Sequence, residues 1–229
     1  MQRTLNLKIM KRLFIALFAV ALTLPISAQY GRPYPGRPVT NYPVHRSPTN
    51  DIYYGLRLGA AFSTVNSDDR ELDGGSIKTG LNVGVAAGWQ LHYNSPVYLE
   101  SGLYYTEKGG KGTHDNKKFT YNLNYLEVPL LIKYYVPLNG NASLQPFAGG
   151  YMALGIAGKI KDYGDRQAYS SFDDNTFQRF DGGLRIGCGL QFDMIYIEGA
   201  YEFGLANICD DTFDTSRNRC FYVNCGVNF

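Results

Sequence analysis

Residues 194–208, which read MIYIEGAYEFGLANI, alternate strictly between two kinds of side chain. Large apolar residues occupy most of the odd positions from Ile195 to Leu205, whereas Glu198 and Glu202 occupy even positions. Successive side chains of a β-strand point to opposite faces, so the stretch predicts a strand with one apolar and one charged face. The run exceeds the length of about 9–11 residues that a tilted strand needs to cross a bilayer.

The sequence contains seven further runs with the same alternation, so that eight strands are predicted in all. These runs are 52–62, 78–93, 96–108, 119–136, 143–160, 179–192 and 219–229. The connections alternate in length. They are short at 94–95, 137–141 and 193, and long and polar at 63–77, 109–118, 161–178 and 209–218. Short turns on one side and long loops on the other are typical of bacterial outer-membrane barrels. The sequence therefore predicts an all-β fold, an eight-stranded antiparallel up-and-down transmembrane β-barrel over residues 51–229.

The composition agrees with an apolar solvent around the barrel. The chain has 19 Tyr, 13 Phe and 26 Gly, and only 18% of its residues are charged, against about 25% in soluble domains. Four of the 22 basic residues lie in the first 28, which leaves 22 − 4 = 18 basic against 20 acidic residues in the rest of the chain. No basic stripe is present, so no nucleic-acid partner is expected.

The N-terminus predicts export. Lys11 and Arg12 precede an apolar run over 13–22 and a small residue at Ala28, the pattern of a secretory signal peptide over 1–28 that is cleaved near Ala28. Residues 29–50 contain five prolines and are interpreted as a Pro/Tyr-rich periplasmic linker in extended polyproline II conformation. A simple tether is favoured over a docking strip for a partner.

The charges within the predicted strands fall mostly on the face opposite the apolar one. A charge that faces lipid at the membrane midplane costs about 2–4 kcal/mol, so these side chains are assigned to the barrel interior. There they can pair with one another as a structural polar network. The assigned residues are Arg57, Glu100, Glu127, Lys133, Arg185, Glu198 and Glu202.

The fourth run contains a change of parity. Tyr121, Leu123 and Tyr125 occupy odd positions, whereas the apolar residues of 126–132 that continue the run occupy even ones. The sequence therefore predicts either a bulge near Tyr125 or a first part that lies above the membrane. Pro129 lacks an N–H and must avoid a ladder hydrogen bond or occupy such a bulge.

Four cysteines, Cys188, Cys209, Cys220 and Cys225, lie near the C-terminus without a zinc-like spacing. Cys209 and Cys220 bracket the last long loop and could form a disulfide in an oxidising compartment.

Residues 124–134, NYLEVPLLIKY, closely resemble the central signature of the PorT-like outer-membrane β-barrel family. The signature is carried by Tyr125, Leu126, Glu127, Val128, Pro129 and Leu130. GLRLGAAFS, ESGLYYTEKGGK, PFAGGYMALGI and the terminal Phe229 also fit, so the resemblance covers residues 52–229. It implies a small eight-stranded barrel in the outer-membrane bilayer, with Phe229 as the C-terminal signal for the barrel-insertion machinery. The family's namesake takes part in protein export across the outer membrane.

A structural or interaction role is the favoured function, since an eight-stranded interior is just wide enough for side chains to fill it. A protein partner would contact the linker or the outer loops. A small porin-like channel is the first alternative, and a soluble lipocalin-like periplasmic binder with inverted faces is the second. The channel requires gaps among Tyr98, Tyr104, Phe147 and Tyr151, at Gly84, Gly149, Gly183, Gly187 and Gly189.

An enzyme is not expected, because the sequence contains no GxSxG or HExxH motif. The three histidines are His45, His92 and His114, and His114 beside Asp115 is the sole candidate dyad. The sequence predicts no catalytic, cofactor-binding or metal residue and no cofactor. Acidic runs at 68–73, 173–174 and 210–211 could bind divalent cations or a basic partner, but such runs are usually solvated surface.

Overall fold

The computed structural model describes residues 52–67, 76–92, 95–114, 117–138, 141–162, 168–171, 178–208 and 216–229. The predicted signal peptide, the linker and the acidic loop runs lie outside the described residues. Eight long strands make up the fold: β1 Ile52–Ser67, β2 Lys78–Gln90, β3 Val97–His114, β4 Lys117–Tyr134, β5 Ala142–Asp162, β6 Phe180–Phe192, β7 Ile195–Gly204 and β8 Ser216–Asn228. Two short segments, Val136–Pro137 and Ala168–Ser170, also pair with β5.

Each strand pairs antiparallel with the next one along the chain, and β8 pairs with β1 to close the sheet. The predicted eight-stranded antiparallel barrel is therefore confirmed. Closure leaves no long strand of the barrel with an unpaired edge. Within the described ranges, no helix has the length and apolar character needed to span a bilayer.

The stagger of the strands follows from the register. From Arg57, successive partners lead through Gly84, Tyr104 and Glu127 to residue 153 of β5. In the other direction they lead through residues 226, 196 and 191 to residue 143 of the same strand. The two ends differ by 153 − 143 = 10 residues, which is the shear of the barrel. A stagger of this size requires strands tilted by about 35–45°.

The two faces of the sheet are sharply different. In β7, Tyr196, Glu198 and Glu202 are buried, whereas Ile195 and Ile197 are 57% and 50% exposed. The same alternation runs through β2 and β8, with apolar side chains outside and polar ones inside. An outward apolar surface is what lipid requires, and it is the opposite of the arrangement in the lipocalin-like alternative.

Several predicted loops are shorter than expected. β3 continues to His114 and β4 begins at Lys117, so most of the predicted 109–118 loop is strand. Likewise, β1 reaches Ser67, and Ala168–Ser170 lies inside the predicted 161–178 loop. Conversely, β7 ends at Gly204 rather than at residue 208. Backbone pairing does not depend on apolar side chains, so the ladders continue where the apolar pattern has stopped.

The expected irregularity lies in the strand beside the predicted one. β4 alternates regularly, and Tyr121, Leu123 and Tyr125 are all buried in the lumen. The register shifts where Asn124 pairs with residue 157 and Tyr125 with residue 155, so the extra residue is Ile156 of β5. The bulge predicted for β4 near Tyr125 therefore lies in the neighbouring strand β5. The prediction chose the wrong strand because large apolar side chains inside the lumen look like a lipid-facing pattern in the sequence.

Pro129 breaks the ladder as its missing N–H requires. The β3–β4 register runs from Ser101 opposite Leu130 to Tyr104 opposite Glu127, with no ladder pair between them. The Ser101 hydroxyl donates to the Pro129 carbonyl at 2.8 Å. This side-chain bond satisfies the carbonyl at the interruption.

The turns at the short-loop end are tight. Asp193 joins β6 to β7 with a positive φ of 53°, a conformation that Asp tolerates better than most residues. The Gln191 side chain donates to the Asp193 carbonyl at 2.9 Å. Between β2 and β3 the Ser95 N–H donates to the His92 carbonyl at 2.9 Å. Short turns such as these lie on the periplasmic side of outer-membrane barrels.

Candidate functional site: the polar lumen

The outer half of the lumen is centred on the ammonium group of Lys108. Its Nζ lies 2.7 Å from Glu202 Oε2, 3.0 Å from Glu127 Oε2 and 3.3 Å from Asp181 Oδ2. The side chains of all four residues are at most 1% exposed. The Tyr151 ring lies 4.4 Å from the ammonium. A buried charge is tolerated only when it is paired and hydrogen-bonded, and Lys108 meets this requirement with three carboxylates.

Arg185 joins two of the same carboxylates from the other side. Its guanidinium pairs with both Glu127 and Glu202 through Nη2, and its Nε donates to Glu202 Oε1 at 2.7 Å. The Tyr222 hydroxyl donates to Glu202 Oε2 at 2.7 Å. Lys108, Glu127, Asp181, Arg185 and Glu202 are hereafter the central cluster.

A second group of ion pairs lies nearer the periplasmic end. Lys133 Nζ is 2.8 Å from Glu100 Oε2 and donates to the Tyr196 hydroxyl at 2.8 Å. The Tyr53 hydroxyl donates to Glu100 Oε2 at 2.5 Å. Arg57 lies over the Tyr196 ring, 4.1 Å from its centroid.

Glu198 completes this group. The Asn224 side-chain amide donates to Glu198 Oε1 at 2.9 Å, and Lys133 Nζ lies 4.0 Å from Glu198 Oε2. Two bases and two acids therefore balance in the inner half of the lumen.

Aromatic rings cover three of the interior glycines. A Cβ on Gly84 would lie 2.6 Å from the Tyr104 ring, and one on Gly187 would lie 2.5 Å from the Phe147 ring. The Tyr196 ring covers Gly189 in the same way, at 2.1 Å from its hydroxyl. These three glycines are the surfaces on which rings pack. A Cβ on Gly149 or Gly183 would instead meet a backbone carbonyl of the neighbouring strand at 2.0 Å.

The described buried charges balance across the whole lumen. The bases are Arg57, Lys78, Lys108, Lys133 and Arg185, and the acids are Glu100, Glu127, Asp181, Glu198 and Glu202, five of each. Equal numbers allow each charge to have an opposite partner without a net charge in the low-dielectric interior.

The structure brings the seven sequence-assigned charges into the lumen, where each is at most 5% exposed. Three buried charges are additional, namely Lys78, Lys108 and Asp181. Lys108 and Asp181 share parity with Glu100 and Arg185 in their respective strands, so the alternation alone could have identified them.

The family-signature residues divide between the two faces of β4. Glu127 and Pro129 lie on the buried face, Leu130 is 55% exposed, and Leu126 and Val128 have its parity. Phe229 lies at the β8 end, and its backbone exchanges hydrogen bonds with Tyr54 at 2.8 and 2.9 Å.

The cysteines lie on different faces. Cys188 and Cys225 are exposed on the outer surface, and Cys220 is a buried free thiol. Cys209 lies outside the described residues, so the disulfide with Cys220 stays a prediction. Asp115 of the His114–Asp115 pair also lies outside the described residues. Among the residues that the structure describes, no group of three or more His, Cys, Asp and Glu side chains could hold a metal ion.

A closed eight-stranded barrel with an apolar outer belt and a charged, filled lumen defines an outer-membrane β-barrel protein. The family comparison agrees: residues 28–210 match the model of the outer membrane protein β-barrel domain. The chain belongs to this family, and its location is the cell outer membrane.

No curated protein matches the chain. Among solved structures, it is similar to Ail, the attachment invasion locus protein of Yersinia pestis, at 18% identity over 77% of this chain and 98% of that one, with a TM-score of 0.41. It is also similar to Neisserial surface protein A at 13% identity over 77% and 97%, with a TM-score of 0.45. OprG from Pseudomonas aeruginosa matches at 12% identity over 79% and 97%, with a TM-score of 0.45.

Proposed function

We propose that the protein is a non-conducting, non-enzymatic anchor in the outer membrane, whose outer loops and periplasmic linker contact protein partners. The observation that carries the proposal is the central cluster, which joins β3, β4, β6 and β7 across the lumen through Lys108 and Arg185. A solute would have to separate several buried ion pairs to pass it. Removing one partner of such a pair costs about 3–5 kcal/mol.

The polar groups of the cluster are also committed to one another. Glu202 accepts from Lys108, Arg185 and Tyr222. An acid or base in an active site needs access to a substrate proton, and these buried groups have no such access. This supports a structural role for the lumen and leaves the contacts with partners to the chain outside the bilayer.

Conductance in planar bilayers tests the proposal against the porin-like alternative. We expect the native barrel to insert without discrete current steps. The Arg185→Ala/Tyr104→Ala variant removes a bridge of the cluster and a ring, and we expect it to show small steps, which verifies that the assay detects an opened lumen. Phe221→Ala, on the lipid face, is the matched control and should stay silent. Reproducible steps from the native chain would make the protein a channel.

An accessory role in protein export is the finer part of the proposal, and the resemblance of residues 124–134 to the PorT-like signature supports it. Cells without the chain should secrete less of the proteins that cross the outer membrane, and the native chain should restore secretion. Normal secretion would exclude the export role, while the anchor function would still depend on partner contacts. Site-specific photocrosslinkers in the linker and outer loops would identify those partners.

A further inference from the structure

The outward face of the barrel changes character at the long-loop end. There, the ring of Phe221 packs 6.3 Å from that of Phe62, and the ring of Tyr201 packs 4.6 Å from that of Phe203. These rings lie on the adjacent strands β7, β8 and β1 and form one arc of an aromatic girdle of the kind that marks the bilayer interface. Arg219 lies two residues before Phe221 on the same face of β8. It pairs with Thr64 of β1 and Phe203 of β7.

Five exposed bases lie at or beyond this girdle, and together they are called the outer basic rim. They are Lys111, Lys159, Arg179, Arg217 and Arg219. Among the side chains that the structure describes on the outward face at this end, Glu107 is the acidic one. It is half-buried and accepts hydrogen bonds from the Leu81 N–H and the Tyr105 hydroxyl, both at 3.2 Å.

Among its described residues, the opposite end of the barrel has no such bases. Its described residues, 52–55, 88–92, 95–99, 134–138, 141–145, 190–195 and 226–229, include no Lys or Arg. Asp193 is the single acid among them. A solvated surface would not need this asymmetry, whereas two leaflets of different headgroup chemistry would favour it.

We propose that the outer basic rim binds the phosphate groups of phosphorylated lipids in the outer leaflet. Four of the five bases lie on the same outward strand faces as the apolar belt, just beyond its aromatic edge, so they lie at the depth of the lipid headgroups. Arg179 precedes β6, and its Nη1 donates to the Gly155 carbonyl at 3.2 Å. Long Arg and Lys side chains at this depth reach the interface while their stems cover apolar surface. Arginine also matches phosphate with a pair of parallel N–H donors.

A free anion in solution is the other source of the same chemistry. The position at the edge of the apolar belt favours the lipid, because a lipid phosphate is held at this depth by its acyl chains. Each base near an anionic surface contributes an attraction that corresponds to roughly a five-fold preference. Salt should weaken the preference, since the contacts are exposed.

Bromine-labelled lipids and a single tryptophan provide the test. The native chain has one tryptophan, Trp89, at the opposite end of the barrel. The Trp89→Phe/Phe221→Trp variant moves it beside Arg219. Both chains are refolded into phosphatidylcholine vesicles that contain brominated phosphatidic acid or, separately, brominated phosphatidylcholine. Fluorescence quenching then reports which lipid contacts each end of the barrel.

We expect phosphatidic acid to be enriched severalfold over phosphatidylcholine at position 221 and not at Trp89. Adding Arg217→Gln and Arg219→Gln should remove most of the enrichment at 221, whereas Arg217→Lys and Arg219→Lys should retain most of it. Equal enrichment at both ends, or enrichment that survives the glutamine changes, would overturn the proposal. Loss of the enrichment on adding inorganic phosphate, but not chloride at the same ionic strength, would assign the rim to a free anion instead. Heat-modifiable gel migration verifies that every variant is folded.

Discussion

At the scale of single residues, Lys108 has the most demanding position in the protein. Its ammonium is buried among Glu127, Asp181 and Glu202 at 2.7–3.3 Å. The cluster holds three acids and two bases, so its charge already leans negative. The three carboxylates therefore depend on the two cations of the cluster. Water in a filled lumen cannot compensate for the loss of one of these cations.

Lys108→Met should lower the free energy of unfolding by about 3–5 kcal/mol. Urea unfolding of the refolded barrel in micelles, followed by Trp89 emission, measures this change. Lys159→Met is the matched control: Lys159 is exposed, so its replacement should change stability by no more than about 0.5 kcal/mol.

Adding Asp181→Asn to Lys108→Met should recover part of the loss, because it removes one carboxylate that has lost its cation. A Lys108→Met barrel as stable as the native one would mean that the cluster does not depend on this ammonium.

At the scale of the strand, alternation places each side chain either in lipid or in the lumen. Ile197 and Glu198 are neighbours in sequence, yet Ile197 is 50% exposed and Glu198 is 5% exposed. Depth along the same face adds a second variable. Ile195 begins β7 at the periplasmic turn, whereas Ile197 lies opposite Leu190 and Cys225, further inside the barrel wall.

Ile197→Arg should therefore cost more than Ile195→Arg. An arginine facing lipid near the midplane costs about 2–4 kcal/mol, and one near the interface about 0–1 kcal/mol. Equilibrium unfolding in phospholipid vesicles, rather than in micelles, measures both variants under a defined bilayer thickness. Equal costs for the two positions would show that β7 does not cross the hydrocarbon region at the inferred depth.

At the scale of the whole molecule, the barrel is closed where its first strand, β1, pairs with its last strand, β8. The Tyr54 N–H donates to the Phe229 carbonyl at 2.8 Å, and the Phe229 N–H donates to the Tyr54 carbonyl at 2.9 Å. The Phe229 side chain contributes less to this closure than its backbone does, since the ring is 60% exposed. We propose that this exposed terminal ring is a signal for the barrel-insertion machinery before the barrel closes.

Phe229→Ala should consequently reduce insertion in cells more than it reduces stability. We expect less protein in the outer-membrane fraction, whereas the refolded variant in micelles should unfold within about 0.5 kcal/mol of the native chain, as for other exposed substitutions. Phe221→Ala, another exposed aromatic on β8, is the control for general loss of lipid-facing surface. Equal outer-membrane amounts of the two variants would argue against a signal role for Phe229.

Local patterns in the chain are sufficient to predict the number of strands, the short-turn and long-loop ends of the barrel and the two faces of each strand. These properties follow from period-two alternation and loop length, which are local in the chain. Glu198 and Glu202 could be assigned to the lumen from their own strand, because a charge facing lipid is costly. The same local pattern misled in β4, where Tyr125 and Leu123 look lipid-facing although they fill the lumen.

Which charges meet in the lumen depends on the pairing of all the strands. Lys108 and Glu202 lie 94 residues apart in sequence, and they meet because the strands are staggered by a shear of 10, the difference between residues 153 and 143. The bulge at Ile156 and the extension of β3 to His114 likewise depend on pairing with a neighbouring strand. Alternation says which face a side chain takes, whereas its height in the barrel, and hence its partner, is set by the register of all eight strands together.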